Sequence, residues 1–154
     1  MIERRTAREI VLQAIYAFEI GKNDIGSVKT NVLEKKLDQN KPLLSFAEKL
    51  LIKTINNKEE IDLVVKEQIK NWDMHRLAAI DKFILRMAIC EYLFFDDIPT
   101  KVTLNESIEL AKKFSTGKSG TFVNGILDGA LKKLNREGRI EKKGKGLIEK
   151  SSNE

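Results

Sequence analysis

Residues 73–95 contain almost no polar face. Leu77, Ala78, Ile80, Phe83, Ile84, Leu85, Met87, Ala88, Ile89, Tyr92, Leu93, Phe94 and Phe95 follow one another with few interruptions. At about 100° of rotation per residue in a helix, they point in nearly every direction. Lys82 and Arg86, four apart, share one narrow arc with His75. A helix that is apolar nearly all round is normally enclosed by other helices, because only burial takes that much hydrocarbon out of water. The rest of the chain is therefore expected to wrap helices around this one. Asp73 is placed to cap its start, and Asp96-Asp97-Ile98-Pro99 ends it with turn-forming residues.

The remaining segments supply those helices. Over residues 4–20, Ala7, Ile10, Val11, Ala14, Ala17 and Phe18 recur at helical spacing as one buried stripe. Arg4, Arg5 and Arg8 lie on a flank of that stripe, and Tyr16 projects away from its centre. Gly21-Lys22-Asn23-Asp24 reads as a turn before a weaker helix carrying Val28, Val32 and Leu33. Pro42 suits the first turn of a helix that places Leu43, Phe46, Ala47, Leu50, Leu51 and Thr54 on one face. A further segment carries Ile61, Val64, Val65, Ile69 and Trp72 before the apolar helix begins. After Pro99, Thr103 and Glu106 have capping-box spacing ahead of Leu104, Ile108, Ala111 and Phe114. The last pattern bears Phe122, Ile126, Leu127, Ala130, Leu131 and Leu134, with Gly125 and Gly129 expected to admit another backbone. About seven helical patterns without strand-like alternation predict an all-α fold over residues 1–135. Lys, Arg, Glu and Gly dominate residues 136–154, which read as a mobile charged tail.

At 154 residues the length prior is one domain with a real core. The formal net charge of +5 favours polyanionic partners, so the placement of the cations matters more than their sum. Cys90 is the single cysteine and has no internal disulfide partner, which fits a reducing cytoplasm. Arg86 and Glu91 interrupt the greasiest run, and Glu3, Arg4, Arg5, Arg8 and Glu9 occupy the place of a signal sequence's apolar core. No membrane targeting is expected.

Little in the sequence suggests catalysis. Gly117-Lys118-Ser119 resembles the end of a phosphate-binding loop, but position 112, where the motif needs glycine, is Lys, and no strand precedes it. The segment reads as an inter-helix loop able to touch an anion. His75 has no second ligand cluster, and Cys90 has no basic neighbour to activate it, so neither a metal nor a cofactor is implied. The arginines differ in kind. Guanidinium groups at one helix start can contact successive phosphates and stack on unpaired bases. A solvated flank, partly neutralised by Glu3 and Glu9, is the plain alternative from spacing alone.

The residues also resemble a known family. Arg4-Arg5-Thr6-Ala7-Arg8-Glu9 followed by Leu12-Gln13-Ala14-Ile15-Tyr16 looks like the opening of the NusB family of bacterial transcription antitermination factors. The similarity continues through Asn71-Trp72, Asp81, Leu85-Arg86-Met87-Ala88 and Glu91, and through Ile98-Pro99-Thr100-Lys101-Val102. Asn105-Glu106-Ser107, Glu109-Leu110-Ala111-Lys112 and Phe122-Val123-Asn124-Gly125-Ile126-Leu127-Asp128 complete it. The resemblance implies two small helical bundles packed together and a role without catalysis. It implies binding of boxA-type single-stranded RNA jointly with the ribosomal protein NusE, for delivery to RNA polymerase during ribosomal RNA transcription. By position, Arg4, Arg5 and Arg8 would hold RNA, helped by Lys118, Ser119, Thr121 and Phe122, while Tyr16 and Asp81 would face NusE. Asp81 stands where the family has glutamate, Thr6 where some members have arginine, and Lys118 where some have an acid. A helical protein-interaction adaptor or homodimer that binds no RNA is the rival expectation.

Overall fold

The computed structural model describes residues 3–69 and 74–147, which fall into two compact units, Met1–Asn56 and Asn57–Glu154. In the first unit, α1 (Arg4–Glu19) lies against α4 (Lys41–Asn56). Between them α2 (Ile25–Val28), a π-helical segment (Lys29–Glu34) and α3 (Lys35–Leu37) form a continuous helical run that packs on both. The turn after α1 uses local polar chemistry. Lys22 takes a left-handed φ of 58°, Asn23 Nδ2 donates to the Ala17 carbonyl at 3.1 Å, and the Asp24 carboxylate accepts the Ser27 N–H at 2.9 Å as a cap of α2. Ala7, Ile10, Val11, Ala14 and Ile15 from α1 join Phe46, Ala47, Leu50 and Leu51 from α4 among the buried residues.

The second unit is built around the apolar helix. α6 (Ala79–Phe94) packs against α5 (Lys58–Ile69), α7 (Thr100–Phe114) and α8 (Ser119–Arg136), and every residue from 83 to 92 is buried. With residues 25–37 taken as one run, the described residues hold seven α-helical segments and no strand, the all-α class that the periodicity predicts. The helix starts later than expected. Met74–Arg76 is a 3-10 turn, and Ala78, at φ −58° and ψ 138°, is extended, so helical geometry begins only at Ala79. The expected cap Asp73 lies outside the described residues, as do Asn71 and Trp72.

Two polar residues buried in α6 have specific partners. Arg86 donates to Asp62 of α5 from Nε at 2.8 Å and from a terminal nitrogen at 2.9 Å, a two-pronged geometry that offsets the cost of removing both charges from water. Glu91 accepts the Thr103 hydroxyl of α7 at 2.7 Å. Thr103 is therefore not a helix cap: α7 begins at Thr100 behind Pro99, and Thr103 faces inward beside Ser107. Pro99 stands ahead of the first turn, where no intrahelical N–H bond is lost.

Two further expectations differ from the structure. A Cβ built at Gly125 would meet nothing within 4 Å, and at Gly129 it would meet the Gln68 side chain, so neither glycine admits a neighbouring backbone. The segment after α8 is also not a free tail up to residue 147. Lys142 Nζ donates to the carbonyls of Glu91 and Phe95 at 3.1 and 2.6 Å, and the Lys143 N–H donates to the Asp96 carbonyl at 2.9 Å. The last carbonyls of a helix lack intrahelical donors and carry the negative end of its dipole, so an ammonium group there is doubly favoured. Gly146, in the 3-10 turn Gly144–Leu147, abuts the Asp96 carbonyl so closely that a Cβ would overlap it. Composition marked this segment as charged but gave no sign that the end of α6 would hold it. The rest of the expected tail, residues 148–154, lies outside the described residues.

Candidate nucleic-acid interface

The first unit carries the arginines at the start of α1. Arg4 and Arg5 are exposed, while Arg8 is only 4% exposed. The Arg4 guanidinium lies 4.5 Å from the centre of the Phe46 ring, and that of Arg8 lies 5.4 Å from the same ring. Phe46 in α4 thus presents its π face to two cations. The plain alternative of a solvated flank does not describe Arg8, and the signal for its burial was available. Arg8, Leu12 and Ile15 stand at i, i+4 and i+7, so Arg8 shares a buried side of α1 with two apolar residues. Arg4 and Arg5 stand in the first turn of a helix that has no acidic residue there and no side-chain cap. Cations at that end oppose the helix dipole and gain nothing from it, whereas an approaching anion is attracted by both. At the other end of α1, Tyr16 is 45% exposed and Ile20, one turn on, is 49% exposed, an apolar pair on one side of the unit.

The second unit carries the loop between α7 and α8. Lys118 and Thr121 are exposed, Phe122 is half-buried and Ser119 is buried. Arg76, Leu77 and Ala78 line a cleft of about 250 Å³ together with Asp81, Thr116, Lys118, Ser119 and Phe122. Its floor is polar. The Ser119 hydroxyl donates to Asp81 Oδ2 at 3.0 Å and also lies 2.8 Å from the Ser115 hydroxyl and 3.1 Å from that of Thr116. Asp81 is 7% exposed, lines this cleft and is turned toward the start of α8. Sequence reasoning overlooked this pairing, since nothing in the spacing of residues 38 apart announces it. The Gly117-Lys118-Ser119 segment is an inter-helix loop, as expected, with α7 rather than a strand before it. His75 is exposed, Cys90 is buried, and no group of potential metal ligands occurs among the described residues. None of the described helices is long and apolar enough to cross a membrane.

An all-α protein with exposed cations at a helix start and at a loop tip has the make-up of a helical binding module. The chain belongs to the NusB family, whose model matches residues 5–132. It is 43% identical over 148 residues to the transcription antitermination protein NusB of Salinibacter ruber, covering 96% of this chain and 92% of that protein. The solved structure of NusB from T. maritima is 33% identical, with a TM-score of 0.78 over 85% of this chain and 92% of that one. A NusB chain solved with NusE in complex with dsRNA is 26% identical, with a TM-score of 0.77 over 84% of this chain and 96% of that one.

Proposed function

We propose that this chain is a transcription antitermination factor that binds boxA-type single-stranded RNA together with NusE and joins the RNA polymerase antitermination complex. The observation that carries the reading is the family match across residues 5–132 together with the NusB relative solved with NusE and dsRNA. Within that reading, Arg4 and Arg5 contact phosphates, and Lys118, Thr121 and Phe122 touch RNA from a second segment that the buried Ser119 anchors. Guanidinium and ammonium groups neutralise the backbone, and the half-buried Phe122 is an aromatic ring on whose face an unpaired base can stack. Arg8 braces the Phe46 ring and so supports Arg4 from behind. Tyr16 and Ile20 form the apolar part of the NusE contact, where an exposed tyrosine contributes area at low entropic cost. The protein works in the cytoplasm as an adaptor, without catalysis.

The test is a titration of labelled boxA-type RNA at two salt concentrations, with and without NusE. RNA affinity should fall with salt and rise when NusE is present, and RNA should raise affinity for NusE by the same factor. RNA binding that is absent or insensitive to both salt and NusE would favour an adaptor that binds protein alone.

A further inference from the structure

We propose that Asp81 is a positioning residue for the α7–α8 loop, acting through Ser119, rather than a direct contact with the partner protein. The inference rests on the reading of that loop as an RNA contact. Thr116, Gly117 and Lys118 are all exposed, and a Cβ at Gly117 would meet nothing within 4 Å, so the loop tip has little packing of its own. What fixes it is polar. The Ser119 hydroxyl has one proton, which goes to Asp81 Oδ2 at 3.0 Å. The hydroxyls of Ser115 and Thr116, at 2.8 and 3.1 Å, must then donate to Ser119, whose own N–H donates to the Thr116 carbonyl at 3.0 Å. A single carboxylate oxygen thus sets the proton order of three hydroxyls spanning the whole turn.

The same carboxylate meets α8 at its first residue. The residue before it, Lys118, supplies no side-chain cap, and a negative charge is favoured at the positive end of a helix. Oδ1 of Asp81 is shut off from solvent and has no hydrogen-bond partner among the described residues, so the carboxylate is tied through Oδ2 to Ser119. Asp81 itself is held in the first turn of α6, the most enclosed helix of the unit. Lys118 is therefore placed, residue by residue, from the core outward: α6 sets Asp81, Asp81 sets Ser119, and Ser119 sets its exposed neighbour.

A double-mutant cycle on RNA binding tests this, with Asp81→Ala, Ser119→Ala and their combination, and with Ser119→Thr as the conservative variant. Each single change should weaken RNA binding about threefold to tenfold and lower the slope of log affinity against log salt by about 0.7, as Lys118→Ala should. The combined variant should be no worse than either single one, and Ser119→Thr, which keeps the hydroxyl, should bind like the unaltered protein. Hydrogen exchange on the RNA-free protein should show faster exchange at the Ser119 and Phe122 amides in both alanine variants. Losses that multiply in the combined variant would overturn the proposal. So would Asp81→Ala weakening NusE binding while Ser119→Ala does not, or unchanged amide exchange in both. If the unaltered protein bound no RNA, the functional reading would fall, and the exchange measurement would still decide whether Asp81 holds the loop.

Discussion

Replacing the arginines of α1 one at a time should separate two roles that their spacing alone makes look alike. Arg5 is exposed, and Arg4 is exposed above the Phe46 ring, whereas Arg8 is 4% exposed against that ring. Each phosphate contact on a single strand contributes about 0.7 to the slope of log affinity against log salt. Arg4→Ala with Arg5→Ala should therefore flatten that slope by about 1.4. Between 50 and 200 mM salt, the unaltered protein should then lose about sevenfold more affinity than the variant, because four raised to the power 1.4 is about seven. Arg8→Ala should leave the slope within error of the unaltered protein and instead lower stability. Removing a buried side chain of this size costs about 1–3 kcal/mol, which for a chain of this length is roughly 4–8 °C in melting temperature at the middle of that range. The assays are fluorescence anisotropy with boxA-type RNA across a salt series and thermal unfolding followed by circular dichroism. If Arg8→Ala flattened the salt slope as much as Arg5→Ala did while melting unchanged, Arg8 would be a phosphate ligand and its burial irrelevant to its role.

The other predictions concern the second unit. Asp62→Ala should destabilise the protein by about 3 kcal/mol, because it strands the Arg86 guanidinium in the core, and Asp62→Leu with Arg86→Met should recover most of that loss in a urea titration. Lys142→Met should cost about 1–3 kcal/mol by removing a charged donor from two carbonyls at the end of α6, and limited proteolysis should then cut residues 137–147 faster. Gly146→Ala should release the same segment, since its methyl group would overlap the Asp96 carbonyl; equal proteolysis of variant and parent would refute this. Gly125→Ala should stabilise by roughly 0.5–1 kcal/mol through helix propensity alone, as no atom stands near the added methyl group, and a lower melting temperature would show a contact that the structure lacks.

Helical periodicity was sufficient for the architecture because burial of a stripe depends only on which residues recur on one face. The prediction for α6 succeeded on those terms: an all-round apolar helix is packed against three others and holds ten consecutive buried residues. Its start was misjudged because the pattern of apolar residues continues through Leu77 and Ala78, where the backbone has already left helical geometry. Thr103 was misassigned for a related reason. Its spacing to Glu106 matches a capping box, but a buried carboxylate on the neighbouring helix, Glu91, needed a donor at that place. At Thr103 a local signal competed with a tertiary partner that no window of sequence contains.

The same limit explains the candidate site. Charge and exposure were legible for Arg4, Arg5, Tyr16 and Lys118, since these side chains meet solvent. Arg8 and Asp81 are charged residues whose positions come from what they press against, Phe46 in one unit and Ser119 in the other. A buried charge costs several kcal/mol unless it is paired or bonded, so its presence in an otherwise apolar setting implies a partner even when the partner's identity is hidden. Arg86 illustrates the rule. A lone arginine within ten consecutive buried residues of α6 demanded an acid on an adjoining helix, and α5 supplies Asp62. Applied to Asp81, the same reasoning requires a donor rather than solvent, and the hydroxyl that answers it belongs to the loop expected to touch RNA. On the proposed reading, the residues that hold the binding surface in place are therefore those whose burial conflicts with their chemistry.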